Sequence, residues 1–114
     1  MHEVSIAVSL LDLISTHCER GGYRSVQSVR LRIGRASGVL ADALLFAFDV
    51  VKADTVARDA VLVIDSVSLG GICSNCNSLF EVDEPYVLEC PLCGSSSFKI
   101  EKGYELEIIE MEVN

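Results

Sequence analysis

Basic residues are scarce. Against 17 Asp and Glu, the 114-residue chain has only nine Lys and Arg, a formal charge of −8. That balance opposes a nucleic-acid phosphate backbone as partner. No apolar run reaches the roughly 18 residues a membrane span needs. The opening Met1-His2-Glu3 lacks the basic stretch of a secretory signal. Internal repeats and low-complexity tracts are missing, as are the motifs GxxxxGKS/T, GxSxG and HExxH. Nucleotide hydrolysis and hydrolase chemistry therefore have no support, and no nucleophile–base pair suggests an enzyme. A soluble, acidic, cytoplasmic, non-enzymatic protein is expected.

Half of the chain is hydrophobic, enough for one ordinary domain or two very small ones. A subdomain of about 40 residues would need a metal or disulfides. Charge and cysteine are unevenly spread. Residues 1–72 hold eight acids and seven bases; residues 73–114 hold nine acids and two bases, Lys99 and Lys102. Four of the five cysteines also lie in the second part. Composition divides the chain near Gly70-Gly71, a pair able to act as a hinge.

Residues 3–19 read as a helix, because Val4, Ile6, Ala7, Leu10, Leu11, Leu13, Ile14 and Cys18 recur near a 3.6 period and Gly21-Gly22 ends the run. From Ser25 to Arg35 the pattern alternates, with Val29, Leu31 and Ile33 on one face and Arg30 and Arg32 on the other. A second helix is expected after Ser37, to about Ala53, and a β-rich run from Ala60 to Leu69. The closing strand, Tyr104 to Val113, changes register at Ile108-Ile109, which a bulge would produce. That strand needs a hydrophobic partner that a 30-residue metal knuckle cannot supply, so it is expected to return to the first sheet. The expected fold is α+β, two helices packed on a small mixed β-sheet with an inserted four-cysteine zinc-ribbon domain. Residues 1–70 plus 103–114 would form one domain and 71–102 the other.

Cys73-Ser-Asn-Cys76 and Cys90-Pro-Leu-Cys93 each place two sulfurs toward one ion, with the intervening amides pointing at the sulfurs. Four thiolates make a closed tetrahedral site suited to structure rather than catalysis. Gly94, and Asn77 after the first pair, can supply the positive φ such turns require. Zinc is preferred; rubredoxin-like iron shares the four-sulfur geometry. An odd cysteine total without a signal peptide speaks against a disulfide framework.

His2 has a chelating option. The Met1 amine, the His2 backbone and ring nitrogens and the Glu3 backbone nitrogen can form a planar four-nitrogen set suited to Ni(II) or Cu(II), with the Glu3 carboxylate as an optional fifth ligand. His17 and Cys18 lie about 22 Å further along a straight helix and read as helix packing. Arg24, Arg30, Arg32 and Arg35 read as a solvated strand face.

Met1-His2-Glu3 and its helix resemble the start of the HypA/HybF hydrogenase nickel-incorporation proteins. Val29–Gly34, Leu44–Phe48 and Ala60–Ile64 look like that family's central segment, and the two CxxC pairs with Gly103–Ile108 look like its zinc domain and last strand. The resemblance implies nickel at Met1, His2 and Glu3, and structural zinc at Cys73, Cys76, Cys90 and Cys93. It implies a metallochaperone passing transferable Ni(II) to the large subunit of a NiFe hydrogenase with a HypB-type GTPase. Asn77 departs from the glycine common there. A homo-oligomer is compatible with the sequence. The acidic ribbon (Glu81, Asp83, Glu84) and the His2 helix are the expected partner surface. The rival expectation is a zinc-ribbon protein-interaction adaptor without transferable metal.

Overall fold

A computed structural model describes residues 2–114. Helix α1 (Glu3–Gly21) leads to strand β1 (Val26–Gly34), helix α2 (Ala41–Val51) and strands β2 (Val61–Val67), β3 (Leu69–Cys73), β4 (Leu79–Val82), β5 (Phe98–Lys102) and β6 (Leu106–Val113). These form two three-stranded sheets, ordered β2-β1-β6 and β4-β3-β5. The chain divides into two compact units, Met1–Leu31 with Val39–Ile64 and Ile108–Asn114, and Arg32–Gly38 with Asp65–Glu107. No described helix is long and apolar enough to cross a membrane.

In the first unit α1 buries Ala7, Leu10, Leu11, Ile14 and Cys18, one stripe of the apolar set read from its sequence, while Val4 and Leu13 of that set stay exposed. It stops where Gly22 takes φ 72° and the Tyr23 amide donates to the Cys18 carbonyl, a left-handed cap that costs glycine little. Helix α2 packs on α1 through Leu44, Ala47 and Phe48, all buried. Val29 and Leu31 of β1 are fully buried, whereas Arg30 points outward and pairs with Glu110.

Strand β6 joins the first sheet beside β1, as expected, although none of its side chains becomes fully buried there. The Arg35 amide donates to Val67 at the end of β2, so β2 runs parallel to β1, with α2 in the crossover between them. Asn114 bonds back to Ser25, so β6 runs antiparallel and the sheet is mixed. Arg30 and Arg32, two residues apart on β1, pair with Glu110 and Glu107, three apart on β6. Regular alternation would put those glutamates on opposite faces. An extra residue around Ile108-Ile109 brings them to one face, in keeping with the register change in the sequence.

Three local expectations are revised. The β-rich run from Ala60 is two strands in different sheets, broken at Ser68. Helix α2 starts at Ala41 rather than just after Ser37, because the Ser37 amide closes a turn onto Gly34 and Gly38 takes φ 83°. Gly70-Gly71 is no hinge: both lie buried inside β3. There a Cβ on Gly71 would run into the Lys99 carbonyl of β5, so glycine serves close strand approach.

Candidate metal centres

The second unit carries the sulfur cluster. Strand β3 ends in the first CxxC pair and its neighbours β4 and β5 bracket the second, so the sheet brings the pairs together. The two turns are built alike. In the first, the Asn77 amide donates to the Cys73 carbonyl at 2.9 Å and the Cys73 amide to Ser78 at 3.0 Å. In the second, Gly94 donates to Cys90 at 2.8 Å and Cys90 to Ser95 at 2.7 Å. Asn77 (φ 58°) and Gly94 (φ 79°) occupy the same left-handed position. Asparagine tolerates that conformation, so the absence of glycine after Cys76 leaves the turn intact.

The four sulfurs all lie within 4.8 Å of one another, with Cys73–Cys93 at 3.5 Å and Cys76–Cys90 at 3.9 Å. A tetrahedral ion about 2.3 Å from each sulfur sets them about 3.8 Å apart. The donor set fits zinc, and all four thiols would hold it. Amides already aim at the sulfurs: Asn75 and Cys76 donate to the Cys73 Sγ at 3.3 and 3.4 Å, and Leu92 to the Cys90 Sγ at 3.4 Å.

Electrostatics divides the thiols. The Ser95 amide, with the Asn75 side chain adding to it, lowers Cys93 to about 6. The Ser78 amide and hydroxyl lower Cys76. At Cys73 the Cys76 amide pulls downward, but burial and the adjoining Cys93 and Cys76 thiols outweigh it and push the group to about 11. Asn75, Ser78 and Ser95 are contributors that sequence reasoning passed over. Asn75 was visible as one of two polar residues inside the first CxxC; Ser78 and Ser95 were not, since their role depends on the turn.

Around the sulfurs the hydrocarbon is sparse. Cys73, Phe80 and Cys90 are buried, with Val82, Val87, Phe98 and Ile100 half-buried against them. Phe80 and Phe98 meet edge to face at 5.8 Å. Ion pairing at this sheet is exposed, as between Lys102 and Glu81 at 2.9 Å.

The other candidate set lies in the first unit. Met1 falls outside the described residues. His2 is exposed, stands at the N-cap of α1 and makes no side-chain capping bond. Glu3 opens the helix, and its carboxylate accepts the Leu40 amide at 3.2 Å. That bond lowers the Glu3 pKa. The carboxylate is thus tied to the N-cap of α2, a contact 37 residues away in sequence that no motif announces. His17 stacks on Tyr23 at 5.8 Å, and buried Cys18 has its thiol pushed up by desolvation. Neither joins a described cluster of metal-binding side chains.

A family model described as "Hydrogenase/urease nickel incorporation, metallochaperone, hypA" matches residues 1–113. The chain is 38% identical over 112 residues to a "Hydrogenase maturation factor HypA" of Roseiflexus sp. (strain RS-1), covering 98% of this chain and 91% of that one. A protein of the same name from Syntrophus aciditrophicus (strain SB) is 39% identical over 116 residues, covering both chains fully. Among solved structures, the "Ni metallochaperone HypA from Helicobacter pylori" superimposes with TM-score 0.69 at 25% identity, covering 99% of this chain and 97% of that one. A second HypA solution structure gives TM-score 0.72 at 26% identity, covering 100% and 97%.

Proposed function

The chain belongs to the HypA family of hydrogenase and urease nickel-incorporation metallochaperones, and from that premise we propose that it carries Ni(II) at Met1, His2 and Glu3. The observation that carries this reading is the position of α1, which begins at Glu3 with His2 as its N-cap. The first amides of a helix have no intrahelical acceptor. The His2 and Glu3 nitrogens can therefore lose their protons to nickel without breaking a helical hydrogen bond. Two deprotonated amides offset the charge of Ni(II), so the positive end of the helix dipole does not oppose the ion. With the Met1 amine and the His2 ring they complete a planar four-nitrogen set, the geometry Ni(II) favours.

The Glu3 carboxylate has a separate task in this scheme. Held by the Leu40 amide, it anchors the start of α1 rather than serving as a fifth ligand. Such a site is exposed and has few ligands, so an acceptor can take the ion stepwise. Cys73, Cys76, Cys90 and Cys93 hold structural Zn(II). The acceptor is the large subunit of a NiFe hydrogenase and the working partner a HypB-type GTPase, in the cytoplasm. In this scheme nickel belongs to the first unit and zinc to the second, whose bounds at Arg32–Gly38 and Asp65–Glu107 are wider than the 71–102 expected from the sequence.

Nickel titration of the zinc-loaded chain with its native N-terminus tests the scheme, alongside His2→Ala and a version carrying one extra N-terminal residue. One nickel per chain, bound with proton release and lost in both variants, is expected. Equal binding by all three would remove the terminal chelate and favour an adaptor without transferable metal.

A further inference from the structure

Strand β6 ends the order β2-β1-β6, so among the described residues no strand pairs with its outer edge. Both main-chain groups of Asn114, just beyond it, turn inward: the amide donates to Ser25 and the carbonyl accepts from Arg24. Main-chain direction alternates along a strand, so the groups of Met111 and Val113 turn outward. A cleft of about 480 Å³ runs along this edge within the first unit. Helix α1 lines it with Leu13 and His17, and Tyr23 stacks on His17 beside them. From β6, every residue from Ile108 to Met111 lines it, and none from β1 or β2 does. Neighbouring side chains of a strand point to opposite faces, so a cleft that touches neighbours in succession follows the open edge.

The two sides of this edge differ. Toward α1 it is apolar and uncovered: Leu13 is 62% exposed, and Ile108, Met111 and Val113 are only half-buried. On the opposite face Glu107 and Glu110 are matched by Arg32 and Arg30. Alternation sets Glu112 on the face of Glu110, and among the described residues no basic group meets it. Strand β6 has three glutamates and no base. A second copy pairing here would set its own three against them, and like charges across strands disfavour the pairing. The same charge favours an incoming strand with lysine or arginine on that face.

We propose that the outer edge of β6 takes up an extended segment of a partner protein in which apolar and basic residues alternate, by strand addition. The main chain of the segment bonds to Met111 and Val113. Its apolar residues enter the cleft against Leu13 and Met111, and a basic residue lies beside Glu112. A helix satisfies its main-chain groups internally, so only an extended chain can answer those of the edge. Charge and a bulge commonly blunt exposed edges against self-association. Here the glutamates turn away a second copy and admit a basic strand. The surface contains none of the residues assigned above to nickel or zinc, so it stands apart from the metal reading.

Amide NMR spectra and amide exchange of the zinc-loaded full chain are followed, at constant salt, during titration with a capped peptide of about ten alternating valines and lysines, long enough to span one strand. One comparison peptide has glutamate for every lysine, and another has Pro-Pro for the central Val-Lys pair, which removes main-chain donors. Saturable shifts centred on residues 106–113, Leu13, His17 and Tyr23 are expected, with slower exchange of the Met111 and Val113 amides. Leu13→Ala, an exposed position, should weaken binding about fivefold through lost apolar cover. Glu112→Lys should weaken it about threefold or more, the weight of a cross-strand charge pair, and strengthen binding of the glutamate peptide. No saturable shift at these residues, unchanged exchange at Met111 and Val113, equal binding of either comparison peptide, or indifference to both substitutions overturns the proposal. The same shifts on concentrating the chain alone would make a second copy the occupant and overturn it too. The spectra themselves report whether each variant is folded.

Discussion

Removing the metal should dissolve the second sheet. Of the three buried side chains in that cluster, two are cysteines, so Phe80 is its one buried hydrocarbon side chain among the described residues, with Leu69 the other buried one on this sheet. Burying it contributes about 2–3 kcal/mol, and its edge-to-face contact with Phe98 about 1 kcal/mol more. Val82, Val87, Phe98 and Ile100, half-buried, add about 1 kcal/mol each on the same scale. The total, about 7–8 kcal/mol, or about 9–11 kcal/mol with buried Leu69 of β3, stays well below an ordering cost of about 1 kcal/mol or more for each residue from 69 to 102, a deficit toward which a structural zinc ion supplies roughly 10 kcal/mol or more at neutral pH. Chelation of the reduced full-length chain, and separately Cys90→Ser, should therefore collapse the amide dispersion of residues 69–102. Resonances from α1 and α2, whose core is Ile14, Leu44 and Phe48, should stay dispersed. Re-adding zinc should restore the wild-type spectrum but not that of Cys90→Ser. A metal-free chain with β3, β4 and β5 still dispersed would refute the assignment of the ion as the element that holds this sheet.

Further outcomes follow from the same geometry. Zinc affinity should rise with pH, because bound cysteines are thiolates and Cys73, near 11 in the free cluster, must give up its proton at any neutral pH. Cys93, near 6, adds a further proton only below about pH 6, so competition titrations should show the dependence steepening there. Phe48→Ala empties a fully buried ring position and should cost about 3–5 kcal/mol in urea unfolding. Gly71→Ala forces β3 from β5 at the Lys99 carbonyl and should cost about 1–3 kcal/mol, seen as a lower denaturation midpoint of the second sheet. Charge reversal at Glu81, Asp83 and Glu84 should weaken binding to the GTPase or the hydrogenase subunit in a pull-down titration; unchanged binding would remove the ribbon from the partner surface.

The cysteine cluster was legible because two-residue spacing is a local constraint: the turn that serves one sulfur serves its partner whatever the rest of the chain does. The buried stripes of α1 and β1 were legible for the same reason, since periodicity records which face meets the core. The break at Ser68 was not. Val61 to Leu69 has one unbroken β pattern, and only the pairing of Leu69–Cys73 with β4 and β5 separates the strands. Gly70-Gly71 was misjudged because a glycine pair marks either freedom or close approach, and only the neighbouring Lys99 carbonyl tells which. The start of α2 depended on a positive φ at Gly38. The tie from Glu3 to Leu40 is wholly tertiary.

The near-identity of the two CxxC turns has a kinetic meaning. Each is closed by bonds reaching at most five residues along the chain, so each can form within the time of a short-loop closure, on the order of 10–100 ns. What remains is to bring two ready-made claws together across the 13 residues between Cys76 and Cys90. That step has an entropic cost that grows only with the logarithm of loop length. An ion captured by either claw lowers the barrier for the other, so the order in which the cysteines emerge during synthesis leaves the assembled site unchanged.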